Sequence, residues 1–326
     1  NALGDHFQDA RLRQLFGRYA TYCGASPFQA PATLMLVAHV EQDGVWLVEG
    51  GMHRLAQALA DTARECGAEI LYGQEVRNIV TDGGGVQAVV TADGTRIETD
   101  AVVVNADASA LGTGLFGENA KRAVDPTPPA HRSLSAITWL MNARTDGFPL
   151  TRHNVFFSGD YKAEFDAIFR DGTPPAEPTV YVCAQDRDDA GTLRTPGPER
   201  MLCLVNAPAR GDQGPLPADR LRIVERAAFD VLARCGLSVD RTAENTRCVT
   251  PAQFHALFPA TGGALYGRAS HGWLASFQRP GARTRIPGLY LAGGSTHPGP
   301  GVPMAALSGR QAAEAVLEQL RARKTR

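Results

Sequence analysis

Eleven residues near the C-terminal end have the composition of a ligand-binding loop. They read GGSTHPGPGVP and span residues 293–303, with four glycines and three prolines. Glycine reaches backbone conformations that other residues avoid, and proline fixes φ, so this composition specifies one backbone path and leaves amide groups uncovered. Between a strand and a helix, such amides and the positive end of the helix dipole suit a phosphate or a developing negative charge. The residues alone leave two interpretations open, a cofactor cradle and an ordinary turn.

The flanking segments are those that a cradle requires. An apolar run at 289–292 predicts a strand before the loop, and the run at 304–320 predicts a helix after it, with Pro303 in its first turn. The β-branched run at 101–106 predicts a second strand, buried on both faces. Short segments between residues 69 and 98 predict an antiparallel meander, so the fold class is α/β.

A second domain is predicted within the first. Between residues 131 and 285 the pattern changes to longer antiparallel strand candidates, with helices near 161–170 and 217–235. The chain then returns to the strand, loop and helix described above. We also expect amphipathic helices at 3–24 and after residue 52.

Few other residues are arranged for chemistry. His297 lies inside the loop and is a candidate proton acceptor, with a loop histidine bonded to the backbone as the alternative. The eight histidines show no H-x-x-x-H or H-x-H pair, so we expect no metal site. The G-x-G-x-x-G match at 112–117 lacks a strand directly before it and a continuous helix after it, which favours a turn over a dinucleotide fingerprint.

The composition is that of an ordinary globular protein. The 326 residues carry a net charge of −1, which disfavours a nucleic-acid binder, and no apolar run approaches the length of a membrane span. The six cysteines are scattered without a C-x-x-C pair, so we expect a reducing, cytoplasmic location. The basic end at 321–326 is explained by a helix terminus, with peripheral contact to the inner membrane as the alternative.

The loop and its flanks resemble a known family. The segment LYLAGGSTHPGPGVPMAALSGRQAA at 289–313 is similar to the C-terminal flavin-binding signature of the bacterial-type phytoene desaturases, a family of carotenoid desaturases. Further segments match in the family's order: EGGMHRLAQALADTARECGAEILYGQEVRNI at 49–79, AVVVNAD at 101–107, VYVCAQDRDD at 180–189, LVNAPA at 204–209 and TPAQFHALFPATGGALYG at 250–267. The loop is most similar to the branch that acts on hydroxylated or methoxylated acyclic carotenoids, the hydroxy- and methoxyneurosporene 3,4-desaturases.

The resemblance implies FAD bound in a Rossmann-like domain, interrupted by an inserted α+β substrate domain built on an antiparallel sheet. Residues 1–45 would then be a helical segment of the substrate domain, 46–130 part of the FAD-binding domain with its β-meander, 131–285 the substrate-binding domain, and 286–326 the final strand, loop and helix of the FAD-binding domain. Such proteins begin with a strand, a glycine-rich fingerprint and a helix. No segment here matches that unit, so we expect an incomplete FAD-binding domain, a truncated form of a longer enzyme, and no activity in the fragment alone.

The resemblance also implies which residues hold FAD. Gly293, Gly294 and Ser295 would approach the pyrophosphate and ribityl chain, and residues 297–302 would line the isoalloxazine. Val76 would meet the adenine end through its backbone. The full set of implied FAD contacts is Val76, Asn105, Ala106, Gly293, Gly294, Ser295, Thr296, Pro298, Gly301, Val302 and Pro303.

The implied reaction is desaturation of an acyclic carotenoid, with one hydrogen leaving as hydride to flavin N5 and the other as a proton. The flavin carries that chemistry, so His297 is the candidate catalytic residue and the apolar residues of 131–285 would hold the polyene. A quinone or oxygen would accept the electrons, and no nucleic acid is involved. Two alternatives stay open: an amine- or porphyrinogen-oxidase relative that shares the fold, and a carotenoid-binding protein without redox function.

Overall fold

The computed structural model describes residues 2–324 as a mixture of helices and four β-sheets. In chain order the helices are α1 (Ala2–His6), α2 (Ala10–Gly17), α3 (Leu36–Asp43), α4 (Met52–Glu65), α5 (Ala108–Gly112), α6 (Glu118–Lys121), α7 (Tyr161–Asp166), α8 (Ala218–Arg234), α9 (Pro251–Leu257) and α10 (Val302–Lys324). The strands are β1 (Val76–Asp82), β2 (Gly85–Thr91), β3 (Arg96–Glu98), β4 (Val102–Val104), β5 (Ser135–Ala143), β6 (Thr145–Gly147), β7 (His153–Phe156), β8 (Val180–Ala184), β9 (Glu199–Ala207), β10 (Leu237–Val239), β11 (Thr246–Val249) and β12 (Leu289–Leu291).

A five-stranded antiparallel sheet, in the order β11–β5–β9–β8–β7, carries the main core. Successive side chains on a strand point to opposite faces, and one face of this sheet is fully covered by α8. Trp139 is 1% exposed there and meets the Phe229 ring edge-on at 5.6 Å between centroids. Burying a side chain of this size stabilises the fold by roughly 2–3 kcal/mol. The predicted antiparallel sheet and the predicted helix at 217–235 are therefore present.

The other face of the five-stranded sheet is only half covered. Leu140 is 43% exposed and Val155 is 37% exposed, although both alternate with fully buried neighbours. We define the open sheet face as the side chains of β5, β9, β8 and β7 that point away from α8. Its members are Thr138, Leu140, Val155, Tyr181, Cys183, Leu202 and Leu204.

Strands β4 and β12 lie far apart in the sequence but pair directly. They are parallel and in register, with Leu289 opposite Val102 and Leu291 opposite Val104. A smaller core joins this pair to the β1–β2–β3 meander through Ile79. The prediction of burial on both faces is wrong for β4, because Val103 is 45% exposed in a sheet that has two strands within the described residues.

The N-terminal helices differ from the sequence prediction. The pattern at 3–24 predicts one continuous helical stretch, whereas α1 and α2 are separated by Asp9, whose side chain accepts a 2.8 Å hydrogen bond from the Arg11 N–H and starts a new helix. A 3-10 turn over Arg18–Cys23 follows. The segment at 69–71 forms no strand, since no strand of the described residues pairs with it. Helix α4 forms as predicted, but none of its residues is buried.

Candidate flavin-binding site

The glycine loop begins where β12 meets the end of β4. Gly293 has φ +119°, and a Cβ at this position would lie 2.7 Å from the Asn105 side-chain oxygen. Only glycine permits both this backbone conformation and this approach. The structure therefore brings together Asn105, Ala106 and Gly293, three of the residues predicted to face the cofactor, at the carboxyl ends of two parallel strands. In open α/β sheets this edge is where ligands bind.

Three hydrogen bonds hold the turn of the loop against α10. The Gly293 N–H donates to Ser308 Oγ at 3.1 Å, the Thr296 hydroxyl donates to the Gly293 carbonyl at 2.7 Å, and the two hydroxyls of Thr296 and Ser308 lie 2.6 Å apart. Thr296 is 0% exposed and Ser308 is 1% exposed. Buried hydrogen bonds each contribute about 1 kcal/mol, so this cluster gives the loop one stable shape. Thr296 therefore has an internal structural contact at the position where the sequence implied contact with FAD.

A buried arginine supports the other side of the loop. Arg279 is 5% exposed, and its guanidinium donates to the carbonyls of Tyr266 at 2.8 Å, Arg268 at 2.5 Å and Gly294 at 3.3 Å. Its side chain also passes near Gly299, where an added Cβ would meet Nε at 3.7 Å. Burial lowers the pKa of Arg279 to about 10, and none of the ion pairs formed by residues 2–324 includes it. Sequence reasoning missed Arg279, because its neighbours in the chain do not distinguish it from exposed arginines.

Ser295 and Asp107 join the loop to α5. The Ala108 N–H donates to Ser295 Oγ at 3.3 Å, and the Asp107 carboxylate caps the same helix by accepting from the Ser109 N–H at 2.8 Å. Gly267 lies behind Ser295, since a Cβ there would stand 2.8 Å from the serine Cβ. The Ser295 side chain is thus occupied within the protein, and its backbone remains for a ligand.

The loop has free donors and free space on the side where a cofactor would bind. The N–H groups of Gly294, Ser295, Gly301 and Val302 donate no hydrogen bond to another described residue. An added Cβ at Gly301 would meet nothing within 4 Å, and Gly301 has φ +107°. Helix α10 begins at Val302, with Pro303 in its first turn as predicted, and runs to Lys324. Uncovered amides at the start of a long helix fit a pyrophosphate or an electron-rich ring, so the residues present fit FAD.

His297 lies in the loop, half-buried. Its backbone N–H donates to the Pro280 carbonyl at 2.8 Å, its peptide bond to Pro298 is cis, and its ring stacks with Phe277 at 6.4 Å between centroids. Phe277 is 76% exposed. The ring is therefore near the surface of the loop, where a ligand could reach it. Its catalytic role stays a prediction.

Two further sequence features have clear positions. Val76 begins β1 in the meander, opposite Thr91, and its contact with the adenine end of FAD stays a prediction. The G-x-G-x-x-G match forms the connection between α5 and α6, where Gly112 is buried and a Cβ would stand 2.7 Å from the Pro126 nitrogen. These glycines permit close packing and a turn, which agrees with rejecting a dinucleotide fingerprint.

The comparisons with known proteins identify the family. Residues 3–317 match the family described as flavin containing amine oxidoreductase. The chain belongs to this flavoprotein family. FAD is the cofactor that this membership implies.

Within the flavin containing amine oxidoreductases, the chain is similar to carotenoid desaturases. A hydroxyneurosporene desaturase of Rubrivivax gelatinosus is 56% identical over 319 residues, which are 98% of this chain and 61% of that protein. A 1-hydroxycarotenoid 3,4-desaturase of a Flavobacterium species is 32% identical over 316 residues, 95% of this chain and 63% of that protein. The chain thus spans about three-fifths of the length of these curated relatives. The resemblance to carotenoid desaturases is confirmed.

The fold has a solved counterpart. An oxidoreductase from Methanosarcina mazei superimposes with a TM-score of 0.60 at 17% identity, covering 96% of this chain and 66% of that one. This likeness confirms the predicted α/β fold. Within residues 2–324, no helix has both the length and the apolar character needed to cross a bilayer. No group of three or more histidine, cysteine or carboxylate side chains in this described part is arranged to hold a metal ion.

Proposed function

We propose that this chain contributes a flavin-binding loop and the substrate surface of an FAD-dependent desaturase of acyclic carotenoids. The observation that carries the proposal is the loop with uncovered amides at the start of α10, in a chain 56% identical to a hydroxyneurosporene desaturase. When bound, FAD would supply the hydride acceptor for removal of hydrogen from the polyene. The protein residues would bind, orient and shield the reactants.

The loop would hold FAD through its backbone. The amides of Gly294 and Ser295 would approach the pyrophosphate, and those of Gly301 and Val302 would face the ring system at the positive end of the α10 dipole. Arg279 places a buried positive charge behind the same loop. Positive potential on this side favours negative charge on whatever the loop holds.

The open sheet face would hold the polyene. Tyr181 stands opposite Leu204 and Leu204 opposite Thr138, so their side chains form one row across three strands. A second row consists of Cys183, Leu202 and Leu140. An apolar face that is only partly covered suits a long hydrocarbon that replaces solvent.

His297 would accept or hold the proton that leaves the substrate. The half-buried ring lies beside the uncovered part of the loop, stacked on Phe277. In flavin-loaded His297→Gln protein we expect a normal flavin spectrum and slower turnover. Unchanged turnover across the pH range would remove His297 from the mechanism.

Peripheral contact with a membrane would bring the lipid substrate to this surface. Trp273 is 81% exposed, Phe277 is 76% exposed and Leu274 is 39% exposed, all within one short segment near His297. The basic end is a weaker anchor, because Arg323 is paired with Asp100. Co-sedimentation with anionic vesicles should weaken in a Trp273→Ser, Phe277→Ser variant, and equal binding of variant and wild type would contradict this contact.

The decisive experiment uses the protein expressed from its complete gene and loaded with FAD. Mixed anaerobically with hydroxyneurosporene, it should lose its flavin absorption and yield a polyene with a longer conjugated system. Flavin reduction by amines but not by polyene would favour an amine-oxidase activity, and polyene binding without any bound flavin would favour a carrier. Reoxidation with a quinone or with oxygen then identifies the electron acceptor.

A further inference from the structure

Three buried polar atoms near the N-terminal helices have no hydrogen-bond partner within the described residues. They are Arg18 Nη1, the Tyr161 hydroxyl and Glu164 Oε1. Tyr161 is 9% exposed and Glu164 is 1% exposed. An unpartnered buried polar group costs about 1–3 kcal/mol, so such atoms usually have a partner that the protein alone does not supply.

The three atoms belong to one site. Tyr161 and Glu164 are three residues apart on α7 and therefore share a helix face. Arg18 follows Gly17, where an added Cβ would stand 3.9 Å from Tyr161 Cε1, so the arginine is next to the tyrosine. Burial raises the pKa of both Tyr161 and Glu164. The tyrosine ring is itself fixed, because it packs edge-on against Phe157 at 5.8 Å and Phe165 at 5.0 Å between centroids.

The Glu164 carboxyl is held rigidly by its other oxygen. Oε2 accepts hydrogen bonds from Thr179 Oγ1 at 2.6 Å, from Ser158 Oγ at 3.0 Å and from the Thr179 N–H at 3.1 Å. With Oε2 fully bonded, the position of Oε1 is fixed. The site is thus built and supported, not a chance gap between flexible side chains.

This site lies between the open sheet face and the glycine loop at residues 293–303. Tyr181 belongs to the open sheet face, and Tyr266 binds Arg279 under the loop through its carbonyl. Thr179, which donates to Glu164, lies two residues before Tyr181 and so on the same face of the strand. On the other side, the 3-10 turn that begins at Arg18 ends at Gly24, where an added Cβ would stand 2.6 Å from the Tyr266 ring. A polyene lying on the open sheet face and reaching the flavin would therefore pass the three unpartnered atoms.

The relatives' names state which polar group such a polyene carries. One relative is a 1-hydroxycarotenoid 3,4-desaturase and another a hydroxyneurosporene desaturase. An oxygen on carbon 1 is only a few bonds from the bond between carbons 3 and 4. A site that recognises this oxygen would therefore lie between the open sheet face and the loop that holds the flavin.

Resting on the function proposed above, we propose that Arg18 and Tyr161, positioned by Glu164, bind the oxygen substituent of the polyene. Arg18 Nη1 would donate to the substrate oxygen, and the substrate hydroxyl would donate to the Tyr161 oxygen. The pair selects hydroxylated polyenes over hydrocarbons, since a hydrocarbon end group leaves both polar atoms unpartnered. An ordered water that merely fills the site is the alternative that the experiment must separate.

The test compares Tyr161→Phe with wild type in the flavin-loaded protein from the complete gene. The probes are hydroxyneurosporene and neurosporene, which differ in the hydroxyl on carbon 1 and in the saturation of the bond between carbons 1 and 2. Dissociation constants come from quenching of tryptophan fluorescence, and kcat/KM comes from product formation. We expect the preference for hydroxyneurosporene to fall about tenfold in both measurements, with neurosporene nearly unaffected. Tyr19→Phe is the matched control, since its hydroxyl already bonds Glu41 at 2.6 Å on the protein surface.

The outcomes are distinguishable. If wild type desaturates neither polyene, the proposed function fails and this inference fails with it. If wild type prefers the hydroxylated polyene and Tyr161→Phe keeps that preference, or weakens both substrates equally, Tyr161 has only a structural or water-binding role and the inference alone is overturned. Should Tyr161→Phe fail to fold, Arg18→Met gives the same comparison from the more exposed side of the site.

Discussion

The five-stranded sheet and the β4–β12 pair differ in what holds them in place. The sheet is stabilised by apolar burial, with Trp139 1% exposed beneath α8. The strand pair has a smaller apolar core, since Leu289 and Leu291 are fully buried but Val103 is 45% exposed. Its loop depends instead on a few polar groups, chiefly Thr296 and Arg279. We therefore expect apolar substitutions to affect the stability of the sheet and polar substitutions to affect cofactor binding at the loop.

The largest effect is expected from Trp139→Ala. Removing this buried ring leaves a cavity under α8 and should lower the free energy of unfolding by about 3–5 kcal/mol. Urea denaturation followed by circular dichroism measures this value. Leu140→Ala is the control on the open sheet face, where 43% exposure limits the loss to about 1 kcal/mol. Equal losses in the two variants would contradict the division into a sealed face and an open face.

Arg279→Met should act on the loop. The carbonyls of Tyr266, Arg268 and Gly294 would lose their common donor, so we expect a loss of about 2 kcal/mol in stability and roughly tenfold weaker FAD binding. Flavin fluorescence titration measures the affinity. Arg283→Met is the control, because Arg283 is 57% exposed and pairs with Glu318 at the surface. Unchanged FAD affinity in Arg279→Met would show that the loop keeps its shape without this cation.

The pH dependence of stability tests the effect of burying His271. Its Nε2 accepts from the Ser26 N–H at 2.9 Å, and burial, with a smaller contribution from His131, lowers its pKa to about 4 from an ordinary 6.5. As the pH falls, the unfolded chain binds a proton on His271 before the folded protein does. The contribution of His271 to stability is therefore complete above pH 6.5 and is lost as the pH falls towards 4. Allowing for partial exposure, the loss is on the order of 2 kcal/mol. His271→Gln, which keeps an acceptor, should remove this part of the pH dependence; an identical pH profile would refute it.

The smallest effect is expected from Thr296→Val. The substitution keeps the shape of the side chain but removes the hydroxyl that bonds the Gly293 carbonyl and Ser308, so stability should fall by about 1 kcal/mol. The loss in the free energy of FAD binding should exceed this loss of stability, because the broken hydrogen bonds lie in the loop that holds FAD. The exposed Thr195→Val is the control. Loss of stability without any change in FAD affinity would place Thr296 outside the cofactor site.

Local sequence signals predicted elements well and their environments poorly. Helix α8 matches the predicted 217–235 within one residue at each end, because helix periodicity acts over short distances. Exposure was harder to predict. The apolar pattern of α4 indicated a buried face, and β4 read as buried on both sides, yet neither is so, since burial depends on which other elements pack there.

The sequence by itself determined the backbone path of the glycine loop, residues 293–303, and the identity of the family. Gly293, Gly301 and Pro303 act through their own backbone restrictions, so their effect can be read without knowing their neighbours. Only the tertiary structure decided that Asn105 meets Gly293, that Arg279 supports Gly294, and that Glu164 meets Thr179. These contacts join residues that are distant in the chain, and their partners are selected by how the whole chain packs rather than by any local pattern.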